Sequence, residues 1–236
     1  YRRLVERWLA SPEFGEHMAQ EWLDAARYAD TAGHAADVPR KNWLYRDWVI
    51  NALNRNKPFD QFTIEQLAGD MIPGATRAQR IATGFHRNSM QALGNNPRKE
   101  EFRVKGIVDR VETTGRVWLG LTVACAECHD HKFDPISTEE YYRMFAVFNN
   151  VPHLGQKFQV HGPRLEIRSE GDQKEWDRYE SLILEKRGVL RSLTEAEESE
   201  RKNGEIEQLN KEIKKAENAK KAISDRTLIA QVMEEL

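Results

Sequence analysis

RKEEFRVKGIVDRVETTGRVWLGLTVACAECHDHKFDPI, residues 98–136, governs how this chain is read. From Arg98 to about Gly120, Phe102, Val104, Ile107, Val108, Val111, Val117, Trp118 and Leu119 recur at helical spacing, which predicts one long helix. That helix hands over directly to Cys125-Ala126-Glu127-Cys128-His129, which contains both cysteines of the chain. Cys-x-x-Cys-His is the spacing of covalent c-type haem attachment. Two thiols about one helical turn apart can grip the two vinyl groups of one rigid ring, and the adjacent imidazole then reaches the iron. Three other readings stay open on the pattern alone. A redox dithiol usually follows a strand in a βαβ context, and none is visible. A zinc site could use Cys125, Cys128 and His129 or His131, but structural zinc usually takes a second ligand pair further along the chain. The third is a plain disulfide or two inert thiols.

The chain outside this stretch is highly charged. Of its 236 residues 39% are hydrophobic and 31% charged, so one or two domains fit and much of the surface is solvated. A net charge of −2 gives no electrostatic case for nucleic acid or an anionic membrane. No apolar run approaches the length of a membrane span, and no signal peptide is visible. The opening, Tyr1 to Ala10, already reads as a helix, so the chain looks like an excised piece of something longer. Partners expected on this basis are other domains of the parent protein and a redox partner, without nucleic acid or membrane insertion.

Upstream, Pro12 to about Ala29, Trp43–Leu53 and Phe59 to about Gly69 carry helical periodicity, with a loop over Asp30–Asn42. Thr76 caps a short helix that runs to about Gly84. Downstream, Ser137 and Glu140 form a capping box for a helix over Thr138–Asn149, apolar nearly all round and so expected to be buried. Strand signals are confined to weak alternation at Lys157–Val160 and Arg164–Ile167. Beyond Ser169 the composition changes. Trp176, Tyr179, Ile183, Lys186, Leu190 and Leu193 make one seam, and Ile206, Leu209, Ile213, Ala216, Lys220 and Ile223 a second. The expected fold is all-α: an irregular multi-helix bundle around the Cys motif, then an antiparallel, coiled-coil-like helical hairpin. The expected division is 1–152 for the bundle, 153–172 for a linker, 173–225 for the hairpin arm and 226–236 for the start of a further linker.

Several long stretches resemble a known family. SPEFGEHMAQEWLDAARYADT, RDWVINALNRNKPFDQFTIEQLAGD, IATGFHRN, EEFRVKGIVDRVETTGRVWLGLTVACAECHDHKFDPIS and EYYRMFAVFNN are similar to the planctomycete cytochrome-like domain, over roughly Tyr1–Val151. The resemblance implies a haem c held through Cys125 and Cys128 with His129 as proximal ligand. It also implies an exported protein, periplasmic or at the cell surface. The chain departs from the family at Ser89–Pro97, where members commonly carry an acidic stretch containing Gly-Gly.

The second axial position is open in the sequence. His86, in IATGFHRN beside Arg87, is a candidate distal ligand or propionate partner. His131 leaves the chain on a different face from His129 and suits a supporting bond or a turn cap, with Asp130 or Asp134 as partner. Met18, Met90 and Met144 are thioether candidates that read as core. His17, His34, His153 and His161 read as surface or loop residues. Arg103, Arg110 and Arg116 could pair propionates or, more simply, acids along their own helix. Three functions compete: an electron-transfer or redox-sensing module, a haem enzyme with an open sixth site, and a haem-free zinc-binding or scaffolding domain.

Overall fold

The computed structural model describes residues 1–33, 37, 39–90, 99–150, 164–194 and 200–231. Residues 157–160, His34, His153 and His161 lie outside them. The chain divides into two units, Tyr1–Leu165 with Ala230–Leu236, and Glu166–Ile229.

The first unit is helical. Its α-helices are α1 (Arg2–Leu9), α2 (Pro12–Ala25), α3 (Trp43–Asn54), α4 (Phe59–Ala68), α5 (Arg77–Ala82), α6 (Lys99–Thr114) and α7 (Thr138–Asn149). Starts follow the capping chemistry. Thr76 and Gln79 form a capping box at α5, and Ser137 and Glu140 form another at α7. Helix α2 stops at Ala25, short of the expected Ala29, where Arg27 takes a left-handed φ of 58°. Helices α2 and α3 lie close because Gly15 has no Cβ. One placed there would meet Asn54 Cγ at 2.5 Å, and the Gly15 N–H instead donates to Asn54 Oδ1 at 2.8 Å.

Two packed clusters make the interior. The aromatic one joins Trp22, Phe62, Phe85 and Trp118, with Trp22 ring centroids 4.8 Å from Phe62 and 5.7 Å from Trp118, and Phe85 4.6 Å from Trp118. Its indole N–H groups are satisfied, Trp22 by Gln66 Oε1 at 2.9 Å and Trp118 by Thr63 Oγ1 at 3.1 Å. The second gathers Ile107 and Val111 of α6, Val123 and Ala126 of the Cys motif, and Tyr141 and Phe148 of α7. His86 stands between them, its ring 5.0 Å from Phe85 and 4.8 Å from Phe148.

Two expectations need correction. Helix α7 is not buried all round: Tyr141 and Phe148 face the core, while Tyr142 and Val147 are exposed. Among the described residues it packs chiefly on α6 and the motif, along one stripe, and Tyr142 and Val147 lie off that stripe. Met18 and Met90 are exposed rather than core. The inward face of α2 runs through Gly15 and Ala19, and Met90 lies against Gly33 at the surface.

The second unit is a pair of long helices, α8 (Glu170–Thr194) and α9 (Glu200–Arg226). Ile183, Ile213 and Ala216 are buried between them, flanked by Tyr179, Leu182 and Leu190. Ion pairs join Glu180 to Lys220 at 3.0 Å and Arg187 to Glu217 at 2.7 Å, numbering that rises on one helix as it falls on the other. The pair is therefore antiparallel. The two lysines in the seams are explained by partners across the pair: Lys186 meets Glu212, and Lys220 meets Glu180 while lying 4.2 Å from the Trp176 ring centroid. Two four-residue strands, β1 (Arg164–Ile167) and β2 (Leu228–Gln231), flank the pair in sequence and hydrogen-bond to each other. The fold is thus mostly helical. No helix is long and apolar enough to cross a membrane among the described residues.

Ile107 is fully buried and Leu184 is largely exposed. Ile107→Ala should therefore lower unfolding free energy by about 2–5 kcal/mol. Leu184→Ala should stay within about 0.5 kcal/mol of wild type. Denaturant unfolding followed by tryptophan fluorescence and far-UV dichroism checks both.

Candidate functional site

Helix α6 does not run straight into the motif. After Thr114 it widens into a π-helical turn, Gly115–Leu119, and Gly120 then closes it in the left-handed conformation at φ 66°. The reversal brings the motif back against the helix it has just left. Gly115 makes the approach possible, since a Cβ there would fall 2.7 Å from Val123 Cγ2 and 2.8 Å from Cγ1. Val123 is β-branched and stiff, so it cannot swing aside.

The motif is then a 3-10 turn, Val123–Glu127, with Cys128 as the cap that follows it. Side chains three apart eclipse each other in this geometry. Val123 and Ala126 form the inward pair, both buried in the α6–α7 cluster. Cys125 and Cys128 form the outward pair, both free and exposed. Two apolar residues thus anchor the turn while two thiols share its solvent edge.

His129 follows on the exposed side. Its Nδ1 lies 2.7 Å from the Asp130 carbonyl oxygen. A carbonyl can only accept, so Nδ1 carries the proton and the lone pair of Nε2 is left for a ligand. His131, by contrast, turns inward, with a side chain only 6% exposed. Its Nδ1 accepts the backbone N–H of Asp134 at 2.9 Å and of Phe133 at 3.3 Å. Asp134 Oδ2 is 3.2 Å from the same nitrogen, but a nitrogen already accepting N–H bonds is not the donor an ion pair needs. His131 caps the turn after the motif. That turn displays Phe133 at 83% exposure, and Tyr142 of α7, also exposed, donates from its hydroxyl to the Glu127 carbonyl at 3.2 Å. Phe133 thus follows the motif closely in sequence, and Tyr142 reaches the motif's backbone from α7.

His86 sits elsewhere in the packing. It lies in a 3-10 turn, Thr83–Arg87, inside nine consecutive buried residues, Ile81–Ser89. The residue is 1% exposed, and neither ring nitrogen has a hydrogen-bond partner among the described residues. Burial, reinforced by the Arg110 and Arg27 charges, pushes its pKa down to about 3. Arg110 also turns inward and donates from Nε to the His86 carbonyl at 3.0 Å. Arg103 and Arg116 instead pair along their own helix, with Glu100 at 2.7 Å and with Glu112. Arg40, nearly buried, straps the preceding loop to this segment, donating to the carbonyls of Arg87, Ala32 and Ser89 at 3.1, 3.1 and 2.8 Å. The structure thus brings Cys125, Cys128 and His129 onto one exposed edge, folds His131 into the turn beneath and leaves His86 enclosed against Phe148.

A family model described as PSCyt2, protein of unknown function (DUF1549), matches residues 1–153. The chain belongs to the PSCyt2 family of planctomycete cytochrome-like domains. No curated protein and no solved structure matches it. The PSCyt2 region covers every residue of the exposed edge and ends before the helical pair.

Four contributors to the PSCyt2 site carried little signal in the sequence. Gly115 and Gly120 shape the reversal, and the signal for them was two glycines bracketing four residues. Tyr142 carried no signal that set it apart from the other aromatics of α7. Asp130 was visible only as a possible partner of His131, whereas it serves His129.

Two measurements probe this geometry. Gly115→Ala should destabilise by about 1–3 kcal/mol through overpacking, and Val123→Ala in the same chain should recover much of that. A cycle of unfolding midpoints should show coupling of about 0.5 kcal/mol or more. His86 should make stability pH-dependent with a definite sign. Its folded pKa of about 3 lies below the ordinary 6.5, so between those values the unfolded chain binds the extra proton. The stability from His86 is whole above pH 6.5 and is lost as pH falls, with a slope approaching about 1.4 kcal/mol per pH unit. His86→Leu should flatten the wild-type curve in that window, as read from urea unfolding against pH.

Proposed function

We propose that this PSCyt2 domain carries a covalently attached haem c and serves as an electron-transfer or redox-sensing module of an exported multidomain protein. The observation that carries the reading is the shared edge. Two exposed thiols three residues apart precede an imidazole whose Nδ1 faces a carbonyl, which leaves the Nε2 lone pair for a ligand. That donor set fits a haem c, with Cys125 and Cys128 forming the thioether links and His129 giving the axial nitrogen. Bound there, a haem supplies a one-electron iron couple. The chain's own residues hold and shield it: Val123 and Ala126 root the turn in the core, and the displayed rings of Phe133 and Tyr142 offer apolar surface to a porphyrin. The closed zinc alternative is disfavoured by geometry. Among the described residues no three His, Cys, Asp or Glu side chains are grouped to hold a metal ion, and His131 already has its Nδ1 occupied.

His86 is the candidate within the core for a second bond to the iron, with two nitrogens that have no hydrogen-bond partner among the described residues and Phe148 tilted against its ring. Electrons would pass to neighbouring domains of the parent protein or to a separate redox partner, in the periplasm or at the cell surface.

The test is production of the chain with an export leader and the c-type maturation machinery. The expected product carries the added mass of one haem and keeps its haem absorbance after denaturation. Cys125→Ala with Cys128→Ala should lose both. An exported wild-type chain with the bare polypeptide mass would overturn the reading. In the haem-bearing chain, low-spin spectra in both oxidation states are expected, and His86→Ala should convert them to high spin if His86 ligates.

A further inference from the structure

Asp130 occupies an unusual position next to His129, and its role goes beyond lying near it. The Asp130 carboxylate accepts the backbone N–H of Thr138 through Oδ1 at 2.8 Å. Thr138 is the first residue of α7, so that N–H is one of the donors a helix start leaves without an intrahelical partner. The neighbouring donors are also assigned: Glu140 N–H goes to Ser137 Oγ at 3.2 Å, and Ser137 N–H to Glu140 Oε2 at 2.8 Å. Three donors at the start of α7 are therefore satisfied, and Asp130 holds one of them.

The peptide plane between Asp130 and His131 is held on its other edge. Its N–H, that of His131, donates to the Ile136 carbonyl at 2.8 Å. Its C=O is the acceptor of the His129 Nδ1–H bond. A peptide unit is rigid and planar, so fixing the N–H direction and the Asp130 side chain fixes where the carbonyl points. The His131 ring, accepting Phe133 and Asp134 N–H groups from inside the turn, keeps Ile136 in place around it.

We propose that Asp130 is a positioning residue that presets His129 in the Nδ1–H form, with Nε2 free and its ring direction fixed by the start of α7. Its use as a haem ligand device rests on the haem reading above, but the preset tautomer is a property of the chain itself. Helix α7 sets the ring through two links, Thr138 N–H to the Asp130 carboxylate and the Asp130 carbonyl to His129. Supporting bonds of this kind typically raise the basicity of the ligating nitrogen and restrain its orientation.

The experiment uses the full chain without haem, labelled with nitrogen-15, at an alkaline pH where histidine is neutral. Ring nitrogen–proton correlations report the tautomer of His129. Wild type should be mainly Nδ1–H. Asp130→Ala should shift His129 towards Nε2–H, while Asp130→Asn, which keeps an oxygen for the Thr138 N–H, should retain the wild-type pattern. Thr138→Pro removes the N–H alone. Proline is well tolerated at a first helical position, and Ser137 already has the extended backbone, ψ 158°, that precedes proline. It should reproduce the Asp130→Ala shift in a folded chain. Wild-type His129 found mainly as Nε2–H would overturn the proposal, as would an unchanged tautomer in Thr138→Pro. In the haem-bearing chain, Asp130→Ala and Thr138→Pro should both raise the midpoint potential, because a less basic imidazole stabilises the ferric state less; an unmoved potential would overturn the ligand role. A wild-type chain that takes up no haem would defeat the function proposed above and leave the tautomer result standing, so the two failures are distinguishable.

Discussion

The close approach of Gly115 to Val123 is the constraint on which the site depends. An α6 that continued as a regular helix through residue 120 would carry the cysteines away from the bundle. The π-helical turn and the left-handed Gly120 reverse the chain, and the missing Cβ at Gly115 lets Val123 settle into the space this leaves. Once Val123 is seated, the period of the 3-10 turn does the rest. Ala126 must follow it inward, and Cys125 and Cys128 must face out. Sorting thiols from anchors is thus a consequence of backbone geometry and needs no polar contact of the cysteines themselves.

Much of the frame could be read ahead because its signals are local. The Ser137–Glu140 capping box places the start of α7 at Thr138, as found, and the alternating three and four spacings of the seams give the α8–α9 pair. Lys186 and Lys220 look wrong at seam positions until their partners on the other helix are known, and those lie 26 and 40 residues away in sequence. The end of α6 was not legible for the same kind of reason. The pattern of apolar residues continues through Trp118 and Leu119, and only the tertiary contact at Gly115 shows where the helix gives way. The exposed face of α7 was missed because apolar composition reports what a helix could bury, while the number of neighbouring elements decides what it does bury.

The Ile81–Ser89 segment shows a second limit. Five of its nine residues are Thr83, His86, Arg87, Asn88 and Ser89, a composition that reads as surface, yet all are buried. Arg40 and Asn42 make this tolerable by meeting the backbone and side-chain groups of the segment from the loop before α3. Asn42 Nδ2 donates to Asn88 Oδ1 at 2.6 Å, beside the three Arg40 bonds. His86 differs in that both of its ring nitrogens lack a hydrogen-bond partner among the described residues. An imidazole with two unpaired nitrogens in a core costs about 1–3 kcal/mol, and burial among positive charges keeps it neutral instead of relieving it. A leucine would fill the same slot between Phe85 and Phe148 without that penalty, so the histidine is not explained by packing.

The three candidate histidines therefore have three separate physical fates, each set by what its Nδ1 meets. In His129 it meets a carbonyl and must donate, which leaves the Nε2 lone pair at the surface. In His131 it meets two backbone N–H groups and must accept, which commits the ring to holding a turn. In His86 it meets no hydrogen-bond partner among the described residues, and the ring packs between Phe85 and Phe148. Residue type and spacing could nominate all three as ligands, but they could not rank them, because the ranking lies in backbone groups that carry no side-chain signature. The peptide plane of Asp130 and His131 makes the point most directly: one edge of it accepts from His129, and the other closes the turn that holds that carbonyl in place.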